Sequence, residues 1–427
     1  MTATGLRAAD RPPSAGPRPP VALYVHIPFC VSICPYCDFV VYAGAAARGP
    51  RNRVADLLAA VTTEIGLRAD AADAAFGEPG SSPQDRPRLD SVYFGGGTPS
   101  LVPAEEIAAL LELIGRRFGI VADAEVTLEV NPGADEKGDA SGFRGAGITR
   151  LSIGAQSLDA AELKRLGRRH RPEDVGDAVS AARAAGVASV NLDLLYDVPG
   201  SSIGGWMATL DAALDLGPDH LSLYALTLDD PDAEGLTGFG GDHLPVSAGA
   251  RRWRATAARG QDEDRAAAQY HGAATRLAAG GWRGYEISNW AMPGHESRHN
   301  LAYWRRQPHE AVGPGAHAFD GVSRRWNAAR LDGYVAALTP QPAPGRTAAL
   351  PPGGSEPIDE TVAAAEIAIL GLRLDTGLPL AAATERPLEP WFGWAVAAEL
   401  VDVTDDDRIV LTTRGRLLSN ELFSRLV

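Results

Sequence analysis

From about residue 21 to residue 226, short apolar runs alternate with longer amphipathic segments. The runs at 21–25, 91–94, 125–130, 150–153, 189–194 and 221–225 are rich in β-branched residues and bounded by Gly, Pro, Asn or Asp, which predicts six strands. Between them, Val54, Leu57, Leu58, Val61 and Ile65 recur at helical spacing, as do Ile107, Leu110, Leu111, Ile114 and Phe118. Pro103 suits the first turn of the second of these helices. Six βα units in series imply an α/β fold with a parallel sheet, curled as a full or partial barrel. An open doubly wound sheet has the same local periodicity, so the pattern alone leaves that choice open.

The rest of the chain is less regular. Acidic, Gly/Pro-rich stretches at 69–88 and 229–249 are expected to be surface insertions. A helix is expected over 264–279, then an irregular, aromatic-rich region from 285 to 319. The stretch 339–357 has the Pro, Gly and Ala content of a linker. Beyond it a helix over 358–374 precedes a hairpin over 401–413 and a final helix, an outline resembling a winged helix. The expected organisation is a disordered tail at 1–20, a core at 21–230, an extension at 231–338, the linker, and a small α+β domain at 358–427.

Composition and charge narrow the function. No apolar run approaches the ~20 residues of a membrane span, and residues 1–20 lack the apolar stretch of a signal peptide. A cytoplasmic protein is expected. The net charge of −14 disfavours a nucleic-acid partner. Residues 356–427 carry 6 Arg and no Lys against 13 acidic residues, so a packing or regulatory role suits the winged-helix-like domain better than DNA binding.

The three cysteines all lie within one segment, Tyr24-Val-His-Ile-Pro-Phe-Cys30-Val-Ser-Ile-Cys34-Pro-Tyr-Cys37-Asp-Phe39. Three thiolates on one short loop can each ligate one iron of a cubane, leaving the fourth iron open for chemistry. A structural zinc site would normally close with four ligands from two separated knuckles, so it fits less well. His26 is an alternative fourth ligand, or a packed core histidine. Cys-x3-Cys-x2-Cys after a first strand resembles the signature of radical S-adenosylmethionine (SAM) proteins. The fuller string HIPFCVSICPYCDF resembles the oxygen-independent coproporphyrinogen III oxidase-like family and, within it, the branch of HemW-type heme chaperones. That resemblance implies a partial (β/α)6 TIM-like barrel, a [4Fe-4S] cluster on Cys30, Cys34 and Cys37, and bound S-adenosyl-L-methionine.

Polar residues at successive strand ends form a candidate site. Gly95-Gly96-Gly97-Thr98 follows the second strand, and three glycines let a ligand approach the backbone; a tight connection alone is the plainer reading. Glu129 and Asp193 are flanked by apolar residues and need buried partners. A ligand's ammonium or ribose hydroxyls would serve, and so would an internal ion pair with Arg168. By resemblance, SAM binding carries over onto Tyr24, Tyr36, Gly96, Gly97, Thr98, Glu129, Gln156, Arg168, Asp193 and Ala225. Two runs depart from the family: Tyr196-Asp197-Val-Pro-Gly200 stands for Gly-Leu-Pro-Gly, and Gly154-Ala-Gln-Ser-Leu158 for Gly-Val-Gln-Ser-Phe.

Phe39 stands where the related dehydrogenases carry a further Cys, and Arg298-His299-Asn300-Leu301-Ala302-Tyr303-Trp304 matches the HNLxYW string of the chaperone branch. The resemblance implies a heme carrier serving respiratory proteins, with no catalytic residue assigned and a homodimer left open. His299, His317 and His26 are the candidate heme-iron ligands, and a capped, satisfied core is the plain alternative for His299. The competing functions are a coproporphyrinogen III dehydrogenase and a zinc-stabilised barrel without redox chemistry.

Overall fold

The computed structural model describes residues 16–46, 52–80, 82, 85–228, 230–238, 240–339 and 348–427. Six parallel strands follow in chain order: β1 (Ala22–Ile27), β2 (Leu89–Gly96), β3 (Ile120–Val130), β4 (Arg150–Gln156), β5 (Ser189–Tyr196) and β6 (His220–Ala225). Helices cross between them: α1 (Val54–Phe76), α2 (Ala104–Phe118), α3 (Ala140–Ala146), α4 (Ala160–Arg165), α5 (Pro172–Ala184) and α6 (Ile203–Asp215). This is the partial (β/α)6 arrangement.

Two further helices, α7 (Ala248–Ala258) and α8 (Glu263–Ala279), precede the short strands β7 (Arg283–Gly284) and β8 (Asn289–Ala291). Helix α9 (Arg298–Trp304) leads to β9 (His309–Val312), β10 (His317–Phe319) and β11 (Ser323–Asn327). After α10 (Leu331–Leu338) comes β12 (Gly353–Pro357). All twelve strands form one sheet in the order β12-β11-β10-β9-β1-β2-β3-β4-β5-β6-β8-β7, with β9 parallel to β1.

Each core strand alternates. Leu23, Val25, Val92, Phe94, Val126, Leu128, Leu151, Ile153, Val190, Leu192, Leu221 and Leu223 join the main apolar core with the inner faces of the helices. Helix α1 adds Leu57, Leu58, Val61 and Ile65, as its spacing predicts. The intervening positions are polar and bond to one another across the other face. Arg150 pairs with Glu125 at 3.0 Å, and Asn191 donates to Ser152 at 2.7 Å. Helices thus cover one face of the sheet, and a polar concavity forms the other.

Several boundaries differ from expectation. Helix α1 runs on through Phe76 into the 69–88 stretch, because its Ala-rich last turns are helix-favouring despite their acidity. Of the expected tail, residues 1–15 lie outside the described residues, whereas Arg18 is held by bonds to the Asp320 and Arg306 carbonyls. Of the expected linker, 340–347 lie outside the described residues, and Gly353–Pro357 pairs with β11 as the edge strand β12. Gly353 and Gly354 fit because a Cβ there would strike Trp326, at 1.9 Å and 2.2 Å.

The C-terminal segment comprises α11 (Glu360–Arg373), α12 (Glu389–Ala397), α13 (Thr413–Leu417) and α14 (Ser419–Phe423). Its three-stranded sheet contains β13 (Leu378–Pro379), β14 (Val401–Val403) and β15 (Arg408–Leu411). It has its own core around Leu372, Leu388, Leu400, Ile409 and Leu422. Arg373 reaches Glu286 at 3.2 Å and Arg416 caps the Gly284 carbonyl, fastening the segment to the barrel.

Candidate functional site

The cysteine loop leaves β1 at the carboxyl end of the sheet, where parallel α/β folds place their sites. Cys30 is buried, and Cys34 and Cys37 are half-buried. Three groups fix the loop from outside. Thr98 donates to Cys30 Sγ at 3.4 Å, and Arg168 to Cys34 Sγ at 3.5 Å. Arg254 on α7 donates to the carbonyls of Pro35 (2.9 Å) and Cys37 (2.8 Å). Burial pushes the Cys30 thiol up to about 11, and both burial and the neighbouring Cys34 raise Cys37. Such thiols keep their protons until a metal replaces them.

Among the described residues no group of three or more His, Cys, Asp or Glu is arranged around one ion. A cubane needs no such convergence, since each thiolate takes a different iron. The donor set fits a cluster: three soft sulfurs on one loop with a guanidinium beside them.

The triple glycine packs on the cysteine loop. Gly97 N–H donates to the Ile27 carbonyl (2.9 Å) and Thr98 N–H to that of Phe29 (2.8 Å). A Cβ on Gly97 would meet the Phe29 backbone at 2.7 Å, and one on Gly96, at φ +114°, the His26 ring at 2.5 Å. Close packing of the protein on itself therefore demands these glycines.

Glu129 sits behind the loop. Its carboxylate accepts from Gly96 N–H (2.8 Å) and from the Tyr93 hydroxyl (2.9 Å). Burial, with nearby Asp193 adding to it, raises its pKa to about 7. Asp193 accepts from Ser152 (3.1 Å) and Asn191 (2.8 Å), and burial raises it too. The internal ion pair with Arg168 does not form. The Arg168 guanidinium goes instead to Asn131 Oδ1 (2.6 Å), the Gly154 carbonyl (2.9 Å) and Cys34. Two partly buried carboxylates without a paired cation fit the ammonium and ribose of a SAM molecule. Gln156, at φ +65°, marks a register shift between β4 and β5, and the Tyr36 hydroxyl is buried near Arg168 and Cys34. Ala225 is exposed at the end of β6.

The histidines divide sharply. His26 is buried, with Nδ1 against the Tyr24 hydroxyl (2.9 Å) and Nε2 against the Val40 carbonyl (2.8 Å). His299 is buried between Ser91 Oγ (2.9 Å) and the Tyr303 hydroxyl (2.8 Å), and burial drives its pKa down to about 3. Both ring nitrogens of each are engaged. For His299 this arrangement matches the satisfied-core alternative rather than the candidate heme ligand. Its helix α9 instead plugs the floor of the barrel, with Glu125 accepting from the backbone N–H groups of Arg298 (3.1 Å) and His299 (3.0 Å).

Beside the cysteine loop opens a cavity of about 630 Å³, walled by Tyr24, Phe39, Val40, Tyr303, Trp304, Phe319, Ile369 and Leu370 among others. His243, His317, Arg306 and Arg324 also line it. No motif or periodicity marks Arg254, Asp242 or His243, which lie in or after an expected insertion. Asn131, two residues after Glu129, carried no signal of its own beyond that proximity.

The Radical SAM superfamily model matches residues 24–213. The chain is 36% identical over 419 residues to a heme chaperone HemW of Mycobacterium tuberculosis, covering 97% of each, and 34% identical over 299 residues to that of Escherichia coli, covering 70% of each. A bovine mitochondrial radical S-adenosyl methionine domain-containing protein 1 is 35% identical over 310 residues, with 71% of this chain and 63% of that protein covered. Among solved structures, the coproporphyrinogen III oxidase HemN of Escherichia coli, a radical SAM enzyme, matches at TM-score 0.73 and 21% identity, covering 98% of this chain and 92% of that one, which extends the shared fold to the C-terminal segment. At 36% identity across 97% of both chains to one HemW heme chaperone, and 34% across 70% to another, the chain belongs to the HemW heme-chaperone family of the radical SAM superfamily.

Proposed function

We propose that this chain binds heme in the cavity beside the cysteine loop and hands it to heme-accepting proteins of the respiratory chain. In this reading it carries a [4Fe-4S] cluster on Cys30, Cys34 and Cys37 and a bound SAM. The observation that carries the reading is the cavity: an aromatic-walled space of about 630 Å³ touching both the cysteine loop and the C-terminal segment, within the size range of cofactor pockets. The relatives' shared name, heme chaperone, points the same way.

The chain's residues divide the work. Arg254 and Thr98 hold the loop in shape, and Arg168 places positive charge against the sulfur of Cys34. Glu129, ionised, would take the SAM ammonium, and Asp193 the ribose hydroxyls. A cluster with an open iron supplies electron-transfer chemistry toward a sulfonium when bound. Tyr24 and Phe39 wall off the cavity next to this site and give a flat macrocycle rings to pack on. No described helix is long and apolar enough to cross a membrane, and a cytoplasmic location, as a monomer or homodimer, is part of the proposal.

Anaerobic reconstitution tests the reading. The expected result is about four irons and four sulfides per chain, a saturable Soret band with hemin, and transfer of that heme to a heme-free acceptor. Release of 5′-deoxyadenosine with coproporphyrinogen, accompanied by protoporphyrinogen formation, would instead make the chain a dehydrogenase.

A further inference from the structure

The cavity holds one arrangement that the family motifs do not account for. Asp242 stands between two imidazoles, accepting from His243 Nδ1 at 3.0 Å and from His317 Nε2 at 2.9 Å. Burial acts to raise Asp242, but the two histidines outweigh it and hold its carboxyl below the usual range. The other ring nitrogens, His317 Nδ1 and His243 Nε2, have no hydrogen-bond partner among the described residues. His317 is further fixed by stacking on Trp326, with centroids 6.1 Å apart and planes at 22°. A carboxylate on one imidazole nitrogen fixes the tautomer and makes the other nitrogen a stronger donor, which is how metal-ligating histidines are commonly supported.

Of the other two cavity histidines, His26 has both ring nitrogens engaged, and His309 lacks a supporting carboxylate. His309 Nδ1 meets only the Gln307 carbonyl, at 3.2 Å, and its ring lies edge-on to Tyr303.

A second feature stands two residues along β10. His317 and Phe319 occupy the same face of the strand, roughly 7 Å apart. The Arg306 guanidinium lies 4.6 Å above the Phe319 ring, with Nε on Glu366 at 2.7 Å. Arg306 Nη2 is buried without a hydrogen-bond partner among the described residues. Arg324 lines the same end. One wall of the cavity therefore carries an imidazole with a free nitrogen and, over the ring two residues along the same strand face, a buried cationic donor with an unfilled hydrogen bond, the two kinds of group that a heme iron and a heme propionate need.

We infer that His317 is the protein ligand to heme iron, that Asp242 positions it, and that Arg306 receives a heme propionate over Phe319. This rests on the heme-binding reading above and commits it to a specific seat, distinct from His299. In that seat the iron would take the Nδ1 lone pair of His317 while the Nε2–H stays on the imidazole and donates to the ionised Asp242, so no proton need be released.

Hemin titration of the full chain, read by the Soret band and by the iron–histidine stretch of the ferrous complex, tests the seat. His317→Ala should shift the band and weaken binding at least about tenfold. Asp242→Asn should keep the ligand but lower the iron–histidine frequency, the signature of a lost imidazolate character that a merely structural role would not move. Arg306→Ala should weaken binding with the band unchanged. His299→Ala and His309→Ala should leave the band of the bound heme where it is. An unchanged band and affinity in His317→Ala, or a band displaced by His299→Ala or His309→Ala instead, overturns the seat while the carrier reading stands. Absence of any saturable Soret band in the unaltered chain overturns both.

Discussion

Glu129 is a carboxylate that the fold leaves in want of a cation. Its folded pKa of about 7 exceeds the ordinary 4.5, so the folded chain holds the proton more tightly than the unfolded one. Stability contributed by this group is therefore present at low pH and lost as pH rises through the window from 4.5 to about 7. In the ligand-free protein, Glu129→Gln should flatten that loss, by on the order of 3 kcal/mol at most, measured by thermal melting at about pH 5.5 and 8. The same substitution should weaken SAM binding at least tenfold at the higher pH, because a buried ammonium would lose its counter-charge. A variant that melts lower at pH 8 and binds SAM normally would make Glu129 a purely structural residue. Arg254 works at this scale too. Arg254→Ala removes two charged hydrogen bonds from the cysteine loop, each on the order of 2 kcal/mol. Reconstituted iron per chain should fall by half or more while far-UV circular dichroism is unchanged.

At the scale of elements, the ends of strands carry the informative departures. Asp197 follows β5 where the family pattern has glycine, and it adopts φ +55°. Asp is among the few residues that tolerate this region. Its carboxylate binds the Arg265 side chain and, at 3.3 Å, the Asp262 N–H, while its own N–H donates to Gln269 at 2.9 Å. Asp197→Ala keeps the strained backbone and loses the ion pair, so it should destabilise by about 2–4 kcal/mol. Asp197→Gly relieves the backbone and should be milder by about 1 kcal/mol. Urea unfolding of the two variants orders them, and equal losses would show that backbone conformation is irrelevant at this turn. All six predicted core strands exist, and most run further toward their carboxyl ends than the apolar runs suggested. The added residues include Gly95, Gly96, Ala155 and Gln156, small or polar groups selected by the site, which carry no apolar alternation to read.

At the scale of the whole molecule, the C-terminal segment completes the cavity. Glu366, Ile369 and Leu370 of α11 form part of its wall, and Arg306 and Arg324 on the barrel side both pair with Glu366. Ile369→Asp places a charge against the porphyrin space and should weaken hemin binding at least tenfold, with iron content and SAM affinity unaltered. Full hemin affinity in that variant would place the heme elsewhere. The acidic balance of this segment, unfavourable for DNA, fits its role as a packed wall held by Arg373 and Arg416.

The sequence alone determined the parallel α/β core, because alternation in each strand sets an apolar face against the helices and a polar face opposite. It also determined the cysteine triplet and the strand-end acids Glu129 and Asp193, since three thiols on one loop and carboxylates amid apolar runs have few other uses. Tertiary structure decided what those polar groups meet. Arg168 turns to Asn131 and Cys34 rather than to the acids, and His299, singled out by its motif, spends both nitrogens on Ser91 and Tyr303. Asp242, His243 and His317 come together from an acidic insertion and a distant strand. Such a meeting depends on long-range packing across many residues, which no local periodicity records.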